Sequence, residues 1–208
     1  MKSSKKRLDL LSILLLCVAG LLVLYVLFRF ITTRVQDQQI TAKAKKVASE
    51  SSNGTTDTVA IRKIFAKTVE LVGKYGGDQN LAILLVGQAI HESSEKGQDG
   101  LYHPFTSHVA IANNNIFGMR QPQVRDTTSL GEKGGYASYD SFDSSIEDRL
   151  MYQRARELTM TGNAVDNNGV KAWVKVLKDK AYFEANYIQY VAGVWAGVQT
   201  VKSLIQAG

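Results

Sequence analysis

The chain has 208 residues, 45% apolar and 21% charged, a balance suited to one globular domain with a real core and an appendage. Of its formal net charge of +6, four units lie in residues 1–31, where Lys2, Lys5, Lys6, Arg7 and Arg29 outnumber Asp9. The rest of the chain is close to neutral, which removes the electrostatic argument for a nucleic-acid partner.

The first predicted element is an uncharged run of 19 residues from Leu10 to Phe28, close to the roughly 20 that a helix needs to cross the hydrocarbon core of a bilayer. Lys2, Lys5, Lys6 and Arg7 precede it, so residues 1–9 read as a cytoplasmic basic segment and 10–31 as a transmembrane anchor with its N-terminus inside. The small pair Ala19-Gly20 lies in mid-run, where a cleaved signal peptide would have ended. Cys17, the sole cysteine, lies within this run, so nothing beyond it can form a disulfide inside the chain. Residues 32–56 are polar and Ser/Thr-rich, a tether composition, and 57–208 form the domain.

Within that domain Val59, Ile61, Ile64, Phe65, Val69 and Val72 recur at helical spacing, with Asp57 or Thr58 as the cap and Gly76-Gly77 as the stop. Asp78 is placed to cap a second helix over 79–94, apolar nearly all round at Leu81 to Val86 and therefore expected at the centre of the core. Residues 97–115 read as irregular. A short β-hairpin is expected between Met119 and Tyr139, and further helices at 141–160, 170–179 and 183–205, with Ser141 as a cap. Trp173 and Trp195 fall on apolar helical faces. The class is mainly α, a helical domain with a small β-hairpin lobe, preceded by one transmembrane helix.

Glu92 stands where the apolar face of the second helix ends, one turn after Gln88. A carboxyl at the edge of a buried stripe is partly desolvated, which raises its pKa and suits it to general-acid work. The alternative is a solvated pair with Lys96 at i+4. His91, His103 and His108 lack short ligand spacing and no HExxH occurs, so the sequence offers no metal site and implies no cofactor.

Three segments in order carry a resemblance. "QAIHESSEKG" (88–97), "NNNIFGMR" (113–120) and "YASYDSFDSSIEDRLMY" (136–152) resemble motifs of the bacterial glucosaminidase domains in family 73 of the glycoside hydrolases, with "AYFEANYIQYV" (181–191) a looser match to their closing aromatic region. The resemblance covers roughly 60–205. It implies a lysozyme-like α+β fold, an endo-β-N-acetylglucosaminidase activity on the glycan strands of peptidoglycan, and Glu92 as general acid. It also places Tyr139 at the cleft, as a catalytic aid that stacks on sugar or orients an acetamido group or water. Asn114, Asn115, Phe117 and Tyr136 become substrate-binding candidates, with backbone bracing or core packing as their alternatives.

The resemblance departs at the second carboxylate. Many relatives carry a Glu on the first hairpin strand where Ser129 stands here, leaving Glu132 or Asp126 as substitutes. Three readings follow: a hydrolase; a lytic transglycosylase using Glu92 alone as acid and then base; and a non-catalytic wall-binding scaffold. The anchor implies a single pass through the bacterial cytoplasmic membrane with the domain on the extracytoplasmic side, where envelope-spanning machinery is a candidate partner.

Overall fold

The computed structural model describes residues 18–28, 31, 56–162 and 164–207. Residues 18–28 are helical (α1), with every side chain exposed. No helix among the described residues is long and apolar enough to cross a membrane. Most of the first half of the expected anchor, and nearly all of the tether, lies outside them.

The domain is mainly helical, with two two-stranded sheets: α2 (Thr56–Lys74), α3 (Gln79–Ser93), β1 (Glu95–Lys96), β2 (Tyr102–His103), α4 (His108–Asn113), β3 (Gly131–Lys133), β4 (Tyr136–Ser138), α5 (Phe142–Ala155), α6 (Asn167–Asp179) and α7 (Tyr187–Gln206). The amphipathic face of α2 buries Ile61, Ile64, Phe65, Thr68, Leu71 and Val72, a helical repeat that packs on α3. Asp78 caps α3 by accepting from the Leu81 amide at 2.9 Å, and it also accepts from Gly162 at 2.7 Å, tying the α5–α6 loop to the start of the central helix. Leu81, Ala82, Leu84, Leu85, Val86 and Ala89 of α3 are wholly buried, as its unbroken apolar run requires.

α7 lies directly against α3, and the crossing is made by glycines. A Cβ on Gly197 would stand 2.3 Å from the Gly87 carbonyl oxygen, and one on Gly87 would stand 2.8 Å from the Val198 nitrogen. The two backbones touch there, which brings the N-terminal half of α7 beside the C-terminal end of α3.

Several boundaries differ from the sequence reading. The 97–115 stretch is not wholly irregular: β2 pairs back on β1, and Ser107 caps the short helix α4. α5 stops at Ala155, five residues early, while Ser141 caps it as expected. α6 begins three residues early because Asp166 accepts from the Gly169 amide at 2.8 Å. α7 begins late, at the Asn186 cap, because Lys178 holds the preceding loop by donating to the carbonyls of Phe183, Glu184 and Ala185. Trp173 is buried at 2% exposure, as its face predicted.

Candidate active site

Glu92 sits in the last turn of α3, half-buried. The helix ends immediately after it because the hydroxyls of Ser93 and Ser94 fold back onto the carbonyls of Ala89 and Ile90 and Lys96 has already entered β1. Pairing with Lys96 therefore does not occur. Oε1 of Glu92 instead accepts a short hydrogen bond from the Tyr190 hydroxyl on α7. Gln88, one turn back on α3, donates to that hydroxyl at 2.8 Å.

Behind Gln88 lies Arg149 of α5, a fully buried guanidinium. It donates to Gln153 at 2.7 Å and to Gln88 Oε1 at 3.2 Å, and its charge lies over Tyr182, Tyr152 and Trp173 at 4.8, 5.4 and 5.9 Å from their ring centres. Tyr182, close to the Glu92 carboxyl, donates its hydroxyl to the Phe117 carbonyl at 3.1 Å. Burial raises the Glu92 pKa above the ordinary carboxyl value, although the bonds from Tyr190 and Gln88 and the charge of Arg149 oppose it. Burial also raises both tyrosines, so each remains a protonated donor at neutral pH.

The opposite side of the carboxyl is formed by the 113–119 turn. Gly118 has φ +58, a left-handed conformation that favours glycine, and a Cβ added to it would lie 3.9 Å from Glu92 Oε2. Three consecutive asparagines fix this turn to the hairpin. Asn113 donates to the Lys133 carbonyl at 2.8 Å and Asn114 to that of Tyr139 at 3.0 Å. Asn115 donates to Met119 and Ala137 at 2.8 and 2.9 Å, and its Oδ1 accepts from the Met119 amide.

These contacts place the other candidate residues and, for several, take the packing or bracing alternative. The side-chain nitrogens of Asn114 and Asn115 brace backbone; Asn114 is half-buried and Asn115 fully buried. Phe117 is core at 2% exposure, and its carbonyl is what reaches the site. Tyr139, expected at the cleft, is 3% exposed and donates to Asp148 at 2.8 Å, because α5 places that buried carboxylate under the hairpin. Tyr136 is half-buried on β4, opposite Lys133. Glu132, opposite Ala137 on the hairpin, and Asp126, in the preceding loop, are both exposed. Neither is among the groups that act on Glu92.

Asp148 is the one fully buried carboxylate among the described residues. It is gripped by both terminal nitrogens of Arg125, at 2.7 and 2.8 Å. Burial alone would raise its pKa, but the bonds from Arg125, Thr127 and Tyr139 outweigh burial and hold it below the usual range. It is an anchor for the hairpin lobe. Ser129, standing where relatives carry a Glu, donates its hydroxyl to Gln121 at 2.5 Å, with the Gly131 and Ser138 carbonyls as further acceptors within 3.2 Å.

Sequence reasoning missed Gln88, Arg149, Tyr182 and Tyr190 as site residues. The visible signals were a charge, Arg149, between the apolar residues Ile146 and Leu150 of α5 and two of the three tyrosines in 181–191. The family model for the glucosaminidase domain, described as mannosyl-glycoprotein endo-beta-N-acetylglucosaminidase, matches residues 74–200, which span all of these groups. No curated protein and no solved structure matches the chain.

Proposed function

Because the chain belongs to the glucosaminidase family of peptidoglycan hydrolases, we propose that it cleaves glycan strands at N-acetylglucosaminyl linkages with Glu92 as the general acid. The observation that carries this reading is the Glu92 carboxyl itself, raised in pKa by burial, with one oxygen held by Tyr190 and the other facing Gly118. In the reaction the protonated acid gives its proton to the glycosidic oxygen as the C–O bond breaks, and positive charge develops at the sugar's anomeric carbon. Arg149, Gln88 and Tyr190 then stabilise the carboxylate that remains.

A second reading has a specific observation in its favour. Glu132 and Asp126, the two candidates for a second carboxylate, are both exposed, so the same residue could serve next as base while the sugar's own 6-hydroxyl closes an anhydro ring. The two readings differ in product. Digestion of purified peptidoglycan by the full chain in detergent is expected to give reducing N-acetylglucosamine ends; anhydromuramic ends assign the transglycosylase instead. Wall binding without release would leave only the scaffold.

The chain is further proposed to work from the outer face of a bacterial cytoplasmic membrane. The support is the uncharged 10–28 run behind four basic residues and the exposed apolar side chains of α1. A flexible tether of 25 residues has a typical span of about 25–30 Å, which would confine the domain to the wall nearest the bilayer. Recovery of the full chain in the salt-washed membrane fraction, and of residues 32–208 in the soluble fraction, is the expected result; a soluble full chain contradicts it.

A further inference from the structure

We propose that Tyr190 is a positioning residue that holds Oε1 of Glu92 as a hydrogen-bond acceptor and so commits the acid's proton to Oε2, on the Gly118 side. The inference rests on the reading of Glu92 as the acid and adds which of its two oxygens acts.

The direction of every bond follows from the group at the head of the relay. A guanidinium has donors and no acceptor, so Arg149 Nη2 can only donate, and the Gln88 atom that it meets at 3.2 Å is fixed as the amide oxygen. The amide nitrogen therefore faces Tyr190 and donates to its hydroxyl at 2.8 Å. The hydroxyl has one proton, and with its oxygen accepting from Gln88 that proton is directed to Glu92 Oε1. A neutral carboxyl that accepts at Oε1 carries its own proton at Oε2. After that proton leaves, the Tyr190 bond persists and strengthens, because its acceptor becomes charged.

Packing prevents the phenol from leaving this position. Phe183 stacks on the ring at 3.7 Å with planes 3° apart, and His91 meets it edge-on at 4.9 Å. His91 in turn occupies the gap above Gly193, where a Cβ would lie 2.1 Å from its Nδ1. Tyr190 is 2% exposed. The titratable and charged groups facing the carboxyl are Tyr190 on α7, Tyr182 on the α6–α7 loop and Arg149 on α5. His91, beside Tyr190, is kept toward its neutral form by burial.

Tyr190→Phe keeps the aromatic packing and removes the hydroxyl, both as donor to Glu92 and as acceptor from Gln88. The test compares kcat and kcat/KM against pH on soluble uncrosslinked glycan strands for the detergent-solubilised full chain, for Tyr190→Phe and for Glu92→Gln. For Tyr190→Phe, kcat is expected to fall by about tenfold to a hundredfold with KM little changed. The alkaline limb should move to higher pH, because the carboxylate loses a stabilising donor. Wild-type kcat with an unmoved limb overturns the proposal. If Tyr190→Phe does not fold, fluorotyrosine at position 190 supplies a stronger donor and should move the limb to lower pH; an unmoved limb again overturns it. Full activity in Glu92→Gln would sink the acid assignment itself. An inactive Glu92→Gln beside an unchanged Tyr190→Phe sinks only the role of Tyr190.

Discussion

At the Glu92 carboxyl, burial and a set of donors act in opposite senses, and burial prevails. A raised folded-state pKa means that the folded chain binds the proton more tightly than the unfolded one. Stability from this group is full below the unfolded carboxyl pKa and is lost as pH rises through the folded value. Glu92→Gln should therefore lower activity by about 10²–10⁴-fold while gaining stability relative to wild type as pH rises through that window. Melting curves of both proteins across the range check the crossing. Gly118→Ala acts from the other side. A methyl 3.9 Å from Oε2 fills the space that a glycosidic oxygen needs, and φ +58 strains the new residue by about 1 kcal/mol. A loss in kcat/KM of about tenfold or more is expected, beyond what the change in Tm explains. Glu92 stood out in the sequence through the three ordered motifs that resemble the glucosaminidase family; the helix end alone left a solvated pair with Lys96 as an equal use of the charge. Tyr190 and Arg149 did not, because their meaning depends on long-range partners: Tyr190 lies 98 residues from Glu92, and Arg149 lies 61 from Gln88.

Elements reach the site through two contrasting joints. The α3–α7 joint is backbone on backbone at Gly87 and Gly197, so any side chain there separates the helices. Gly197→Ala should destabilise by about 1–3 kcal/mol and detach Tyr190 from Glu92. Gly73→Ala, on α2 with no atom within 4 Å, should instead stabilise by about 0.5–1 kcal/mol. Urea unfolding of the pair separates crossing geometry from helix propensity. The hairpin joint is polar: three asparagines hold it to the 113–119 turn, and Arg125, Tyr139 and Asp148 hold it to α5. Arg125→Met leaves a buried carboxylate without its cation, at a cost of about 3–5 kcal/mol near neutral pH. Asp148 has a depressed folded pKa, so its stabilisation is present above the unfolded value and is lost as pH falls through the folded one. The penalty in Arg125→Met should shrink over that acid range. The long helices were readable from apolar period, and the hairpin from Gly134-Gly135, whose φ values of +63 and +83 fit a tight turn. The two-residue strands β1 and β2 carry no periodic signal, and α4, six residues long, is hidden by its loop-like Asn113-Asn114-Asn115 ending.

For the molecule as a whole, the start of α2 is held by a titratable contact. Asp57, in the first turn of α2, accepts from His103 Nδ1 at 2.8 Å, while the other ring nitrogen meets Asp99 at 3.0 Å. The imidazole thus bridges the first turn of α2 and the β1–β2 turn. Hydrogen bonds to Asp99 and then Asp57 raise the His103 pKa, and those to the Leu101 amide and His103 lower that of Asp99. The sign follows for each partner. The His103 contribution is full below its unfolded pKa and is lost as pH rises through the folded value; the Asp99 contribution is lost as pH falls through its own. The clasp is therefore closed between the Asp99 titration and that of the imidazole, and it loosens at alkaline pH. His103 and Asp57 are half-buried and Asp99 is exposed, so solvent screens these pairs and global stability should hardly register them. Amide exchange in the first turn of α2 and in residues 95–103 should accelerate as pH is raised through the His103 titration, after correction for intrinsic rates. In His103→Gln the same amides should exchange faster at low pH and show no such step. An unchanged step in that variant would assign the pH response to another group.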